Sequence, residues 1–258
     1  MIDLHCHVLP GIDDGPQTIE DSVALARAAV AAGTQTIVAT SHVSWEYPNS
    51  ADTVARLVAE LNRRLGDEGL ALEIRAGAEI AMTRLPDTPA DELSRLTLGG
   101  GRWLLVEPPF TLASTGLDVL VADLHDRGYR VVLAHPERCP AFHRDRSMLE
   151  ALVRTGALGS VTAGSLAGRF GRAVRRFSLE LMRDGLVHNV ASDAHDERHR
   201  PPTIAAELER AGLGSLTEWL TQRVPGAILS GGEIPIRPAF EIPALQSARR
   251  SWWLPGRS

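Results

Sequence analysis

The sequence predicts a single-domain α/β fold, with about seven strand–helix units set around a closed or nearly closed parallel barrel. Three observations carry that expectation. Short apolar runs alternate with longer stretches of helical period, and several of those stretches stop at a glycine. The length of 258 residues, with 44% hydrophobic and 23% charged residues, is that of an ordinary globular domain. Seven such units in about 200 residues suit a barrel better than an open doubly wound sheet, which is the structural alternative.

The elements follow in order. An apolar strand, Met1–His7, opens the chain, and the helical stretch Thr18–Ala32 ends at Gly33 before a second strand, Thr36–Ala39. Thr53–Leu65 reads as a helix and leads to a strand over Leu72–Ala78. A strand at Trp103–Glu107 stops at Pro108 and Pro109, which force the chain out of register. Helix Leu117–Arg127, stopped by Gly128, precedes strand Arg130–Ala134; helix Ser147–Thr155, stopped by Gly156, precedes strand Gly159–Thr162. Helix Ala173–Asp184 and Gly185 lead to the last strand, His188–Ala191. Residues 1–230 are therefore expected to form the domain. Residues 231–258, with Pro235, Pro238, Pro243 and Pro255 and the closing Arg249-Arg250-Ser251-Trp252-Trp253, read as an irregular tail, packed on the barrel or used for docking.

Composition excludes several functions. The net charge of −5 argues against nonspecific nucleic-acid binding. All 27 basic residues are arginine, so neither a Schiff-base lysine nor a P-loop lysine is available. No stretch approaches a transmembrane span and the N-terminus does not read as a signal peptide, so a cytoplasmic location is expected. The two cysteines, Cys6 and Cys139, suit a reducing compartment without a disulfide framework. Neither begins the Cys-x5-Arg pattern of thiol phosphatases: six residues on stand Ile12 and Asp145. Gly99-Gly100-Gly101 precedes a strand and is a poor dinucleotide fingerprint.

What remains is metal chemistry. His5 and His7 leave one face of the first strand together, where two imidazoles can converge on one ion, while Cys6 points to the other face. Similar residues recur at later strand ends: Asp14 in the loop Gly11-Ile12-Asp13-Asp14-Gly15, then His42, Glu79, Glu107, His135, Asp193 and His195. In a parallel barrel these strand ends open onto one face, where active sites of that architecture lie. Nine such ligands exceed what one ion takes, about four to six. Two or three divalent ions bridged by a carboxylate such as Glu79 suit the count. Mixed imidazole and carboxylate donors suit manganese best, with iron or zinc as alternatives.

Together, His5-Cys6-His7, Asp13-Asp14-Gly15, Ser41-His42, Glu79, Glu107, Ala134-His135-Pro136-Glu137-Arg138 and Ser192-Asp193-Ala194-His195 resemble the motifs of the PHP superfamily, named for polymerase and histidinol phosphatase. Within it, the opening MIDLHCHVLPGIDDGP, with Gly164-Ser165-Leu166-Ala167-Gly168 and Arg200-Pro201-Pro202, is similar to CpsB-type bacterial tyrosine-protein phosphatases of capsule and exopolysaccharide clusters. The resemblance covers about residues 1–230. It implies a distorted (β/α)7 barrel with three metals: one on His5, His7, Glu79 and Asp193, one on Glu79, Glu107 and His135, and one on Asp14, His42 and His195. Val43 departs from the pattern, since many relatives carry a second histidine there.

The expected activity is metal-dependent hydrolysis of phosphotyrosine by metal-activated hydroxide, with Asp193, Arg138 and Arg200 in catalytic positions and the two guanidiniums gripping the phosphoryl group. The expected substrate is a tyrosine-phosphorylated protein, a bacterial tyrosine kinase of polysaccharide export first, which would also draw the protein to the inner membrane face. Two alternatives stand: a phosphatase of a small ester such as histidinol phosphate, and a non-catalytic module that binds a partner. The oligomeric state, a homo-oligomer included, is left open by the sequence.

Overall fold

The computed structural model describes residues 1–112 and 116–240, and all statements below concern those residues. β1 (Ile2–Cys6) leads through a loop to α1 (Ile19–Ala31), β2 (Thr36–Ala39) and the short β3 (His42–Val43). α2 (Ala51–Asp67) precedes β4 (Glu73–Ala76) and β5 (Glu79–Ala81), and α3 (Ala90–Arg95) precedes β6 (Trp103–Glu107). α4 (Leu117–Asp126) leads to β7 (Arg130–Ala134), and α5 (Pro140–Arg144) and α6 (Arg146–Arg154) to β8 (Leu158–Thr162). α7 (Ala163–Ala167) and α8 (Arg172–Arg183) come before β9 (Asn189–Ala191), followed by α9 (Ile204–Arg210) and α10 (Val224–Ser230).

Helix boundaries have local causes. Thr18 caps α1 through a reciprocal box with Asp21: the Thr18 hydroxyl accepts from the Asp21 amide at 3.2 Å, and the Asp21 carboxylate accepts from the Thr18 amide at 3.1 Å. Ser50 and Asp145 cap α2 and α6 in the same way with one bond each. Gly33, Gly128, Gly156 and Gly185 lie just beyond helix ends with positive φ, as their expected role as stops requires.

All strand pairs are parallel, but they do not form one closed sheet. β1, β2 and β4 make a three-stranded sheet in the order β1-β2-β4; β3, β5, β6, β7, β8 and β9 make a six-stranded sheet in that order. The closed barrel expected from the sequence is therefore corrected to two parallel sheets. The reason lies at two breaks. Between β2 and β3 the chain leaves its pairing at Thr40-Ser41, where the Thr40 hydroxyl accepts a bond from the Cys6 amide at 2.9 Å. Between β4 and β5 it breaks at Gly77-Ala78, after which Glu79 pairs with His42 and Leu105. At the other seam, β1 and the segment after β9 meet through a single parallel bridge, Cys6 to Ala194. Bonds from the Asp193 amide to the His5 carbonyl (2.8 Å) and from the His7 amide to the Ala194 carbonyl (2.9 Å) hold that seam.

Gly77 marks the break for a steric reason. A Cβ there would stand 2.6 Å from Val38 Cγ1 and 3.3 Å from Leu98 Cδ2, so only glycine lets β2 and β4 approach at this point. The larger hydrophobic core fills the space between the six-stranded sheet and its helices, with Leu104, Leu133, Phe142 and Val190 fully buried. A smaller core, including Leu25, Ile37, Leu61 and Ile74, lies between the three-stranded sheet and α1 and α2. Beyond α10, residues 232–240 carry no regular element. Their attachment is by packing: Ile234 and Phe240 rest on the larger core, and Trp219 Nε1 donates to the Pro235 carbonyl at 3.2 Å. Trp252 and Trp253 lie outside the described residues. Among the described residues no helix is long and apolar enough to cross a membrane.

Candidate metal centre

Because every strand runs the same way, the carboxyl ends of both sheets open onto one face, and the strands and loops there carry all eleven residues singled out above. His5 lies on β1 and His7 just after it, with Asp14 in the following loop; His42 begins β3 and Glu79 begins β5, directly paired to it. Glu107 ends β6, His135 follows β7, and Asp193 and His195 follow β9. Arg138 sits in the short turn after His135, and Arg200 in the loop after His195. Nine of these side chains, all but His5 and His7, line a recess of about 160 Å³ together with Phe110.

Two of these residues sit in backbone conformations that side chains avoid. His135 (φ 30°) and Asp193 (φ 52°) are the two non-glycine residues with positive φ among the described residues. His135 also precedes Pro136, which disfavours a helical backbone. Such strain persists only where surrounding structure imposes it, and it clusters at functional sites. Gly15 serves the same region, because a Cβ there would come within 2.6 Å of the His7 carbonyl.

The side chains converge. His5 Nε2 and His7 Nε2 stand 3.2 Å apart. Glu79 Oε2 lies 3.2 Å from His5 Nε2, 3.3 Å from His7 Nε2 and 3.1 Å from His42 Nδ1, while its Oε1 accepts from His135 Nε2 at 2.8 Å. Four donor sets have ligand atoms within 4.8 Å of one another: His7, Asp14, His42 and His195; His5, His7 and Asp193; His5, Glu79 and His135; His42, Glu79 and Glu107. Asp193 Oδ2 meanwhile accepts from Arg138 at 2.9 Å and Arg200 at 2.7 Å.

These groups fit a cation cluster better than they fit one another. Glu79 Oε2, with three imidazole nitrogens around it, and His195 Nε2 are buried without a hydrogen-bond partner among the described residues. Orphaned acceptors of this kind in native interiors call for a partner, here one that takes lone pairs. Protonation behaviour agrees. Burial and the Glu79 carboxylate push Glu107 up to about 8. Burial opposes charge on His7, but Asp13 and Glu79 outweigh it and push the imidazolium up to about 10. Both groups hold protons because the Glu79 carboxylate stands beside them, whereas burial first lowers His42 and His195. Burial works against the Asp193 carboxylate too, yet His5 and Arg200 hold it well below the usual range. Cys6 is different: burial pushes its thiol well up and its Sγ points to the Ala194 carbonyl at 3.7 Å, which suits packing.

Sequence reasoning passed over four contributors. Asp13 accepts from His7 Nδ1 at 2.8 Å, from the Gly15 amide at 3.0 Å and from the His42 amide at 3.1 Å, orienting two imidazole-bearing residues at once. Glu137, fully buried, accepts from the Thr162 amide at 3.0 Å and Ser165 Oγ at 2.6 Å, tying the turn after β7 to the end of β8 and to α7. Thr162 Oγ1 in turn reaches Asp193 Oδ2 at 3.4 Å. Phe110, just past Pro108-Pro109, stacks on His135 with ring centroids 5.4 Å apart. Asp13 and Glu137 stand inside the quoted motifs, so their proximity was visible; their orientation was not.

Comparison with known proteins shows the family of the chain. The sequence profile of a family described as capsular polysaccharide synthesis, CpsB/CapC, matches residues 1–212. The chain is 40% identical to the tyrosine-protein phosphatase YwqE of Bacillus subtilis over 201 residues, 78% of this chain and 79% of that protein. It is 34% identical over 260 residues to the putative tyrosine-protein phosphatase CapC of Staphylococcus aureus, covering 98% and 99% of the two chains. Among solved structures it superposes with a TM-score of 0.83 and 35% identity, over 93% of this chain and all of the other, on a structure from work on YwqE of Bacillus subtilis and CpsB of Streptococcus pneumoniae, described as unique metal-dependent tyrosine phosphatases.

Proposed function

The chain belongs to the CpsB/CapC family of capsular polysaccharide synthesis, and from that premise we propose that it is a metal-dependent phosphatase that hydrolyses phosphotyrosine on proteins. The observation that carries the reading is the convergence of nine imidazole and carboxylate side chains, Glu79 among them, with the Glu79 Oε2 left without a hydrogen bond among the described residues. Two or three divalent ions, manganese first, would be held by His5, His7, Glu79 and Asp193, by Glu79, Glu107 and His135, and by Asp14, His42 and His195. When bound, such ions lower the pKa of water toward neutrality and offset the charge that builds on phosphoryl oxygens.

The chain's own residues account for the rest. Arg138 and Arg200 each give one N–H to Asp193 Oδ2, which fixes both guanidiniums beside the recess, and Arg200 Nε remains a buried donor without a partner among the described residues. Their planar forks suit the equatorial oxygens of a phosphoryl group. Asp193 is in this reading both a ligand and the anchor of the anion grip. A tyrosine leaving group has a pKa near 10, so its phenolate departs with little help from an acid. That matches a recess rich in bases and cations. The family's description, capsular polysaccharide synthesis, supports a phosphoprotein substrate in that process, and we place a bacterial tyrosine kinase of polysaccharide export first. A cytoplasmic protein recruited to the membrane by that kinase would meet it.

Replacement of His135 by alanine tests the reading. Phosphate release from a phosphotyrosyl peptide at saturating Mn²⁺ should fall roughly 100-fold or more while the circular dichroism spectrum stays that of the wild type. Unchanged turnover would contradict the assignment.

A further inference from the structure

The chain is poor in aromatics, with five tryptophans, two tyrosines and five phenylalanines, yet it brings several of them to the recess. Among the described residues, Phe110 is the one apolar side chain that lines it; every other wall is acid, imidazole or guanidinium. Its ring lies nearly parallel to the His135 imidazole, at 24° and 5.4 Å between centroids, and nonetheless stays 48% exposed. A second ring, Tyr47, stacks on His42 at 12° and 5.6 Å. His135 and His42 contact the two oxygens of the same Glu79 carboxylate. The exposed Phe110 ring and the half-buried Tyr47 ring are thus attached to the two imidazoles on either side of Glu79.

Phe110 also touches the anion grip. The Arg138 guanidinium carbon stands 5.1 Å from the Phe110 centroid and 4.6 Å from that of Phe170, so the cation rests against two rings. A phosphoryl group on Arg138 would therefore carry its ester substituent out past Phe110. The open half of the Phe110 ring is a flat apolar surface beside a cavity of charged groups, and a second ring laid on it would gain by leaving water.

We infer that Phe110 is a specificity-determining residue, whose open surface stacks against the aromatic ring of the phosphotyrosyl side chain while Arg138 and Arg200 hold the phosphoryl group. The inference rests on the phosphotyrosine reading above and deepens it. An alkyl phosphate would meet the same grip and leave Phe110 uncovered.

The test uses full-length, Mn²⁺-loaded protein with Phe110→Ala, Phe110→Leu and Phe110→Trp. Leucine keeps apolar bulk against Arg138 but has no flat ring; tryptophan keeps the ring. Two readouts are needed: KM for a phosphotyrosyl peptide, and inhibition constants for phenylphosphonate and methylphosphonate, which share a head group and differ in the ring. The wild type should bind phenylphosphonate about tenfold more tightly than methylphosphonate. Phe110→Ala and Phe110→Leu should raise KM by a similar factor and abolish the preference, with methylphosphonate inhibition unchanged; Phe110→Trp should keep both. Equal weakening of both phosphonates would overturn the inference, because Phe110 would then act through Arg138. So would an unchanged KM. A wild type that turns over other phosphate esters but no phosphotyrosyl peptide would overturn the phosphotyrosine reading and this inference together.

Discussion

Asp13 bears on the site without lining the recess. Its carboxylate accepts from His7 Nδ1 and so leaves His7 Nε2 turned toward Glu79 and His5. Burial opposes its charge, but the bond and the charge of His7 hold it well below the usual carboxylate range, so it stays ionised and keeps the proton on Nδ1, leaving Nε2 as the nitrogen that would ligate a cation. Replacing Asp13 with alanine should therefore weaken metal binding by about 10- to 100-fold, read as a shift of the Mn²⁺ concentration that half-restores activity to stripped protein. An unshifted midpoint would show that His7 is oriented by something else. The residue scale is also where sequence reasoning is sharpest and where it stops. His5 and His7 could be assigned to one strand face because period-two geometry decides it. Asp13 and Asp14 sit side by side in a loop with no period, and nothing in the sequence says that Asp14 faces the recess while Asp13 stands behind His7. The strained backbones of His135 and Asp193 were equally invisible, since strain is imposed by neighbours distant in sequence.

Elements with a clear period were legible to within a residue or two: β2, β6 and β7 match the expected spans, and α1, α4, α6 and α8 differ only at their ends. Short elements were not. α7 is five residues long and β3 two, too few to show any periodicity. The division of the expected strand Leu72–Ala78 from β5 depends on Gly77, whose steric role appears only once Val38 is packed against it. Gly77→Ala should therefore destabilise the protein by about 2 kcal/mol, within the usual range for overpacking a core, and Mn²⁺ affinity should weaken with it because Glu79 follows two residues later. Chemical denaturation reads the first effect; a midpoint identical to the wild type would mean that Val38 yields freely.

At the scale of the molecule, the sheets and the site explain each other. The parallel order of strands was readable from strand–helix alternation, and it is what gathers the strand ends on one face. Failure of the sheet to close was not readable, because closure depends on whether two edges bond and no local pattern encodes it. The donors come from both sheets: His5 from the three-stranded one, His42, Glu79 and Glu107 from the six-stranded one. A cation cluster spanning them would link edges that the backbone joins at one seam by a single bridge between Cys6 and Ala194. Structure and reaction would then depend on the same ions. The most direct test is phosphate release from a phosphotyrosyl peptide by protein stripped with a chelator and then resupplied with Mn²⁺. The account predicts that turnover disappears on stripping and returns with the metal. Turnover that persists in the stripped protein, or that stays absent after Mn²⁺ is restored to a folded chain, would contradict it.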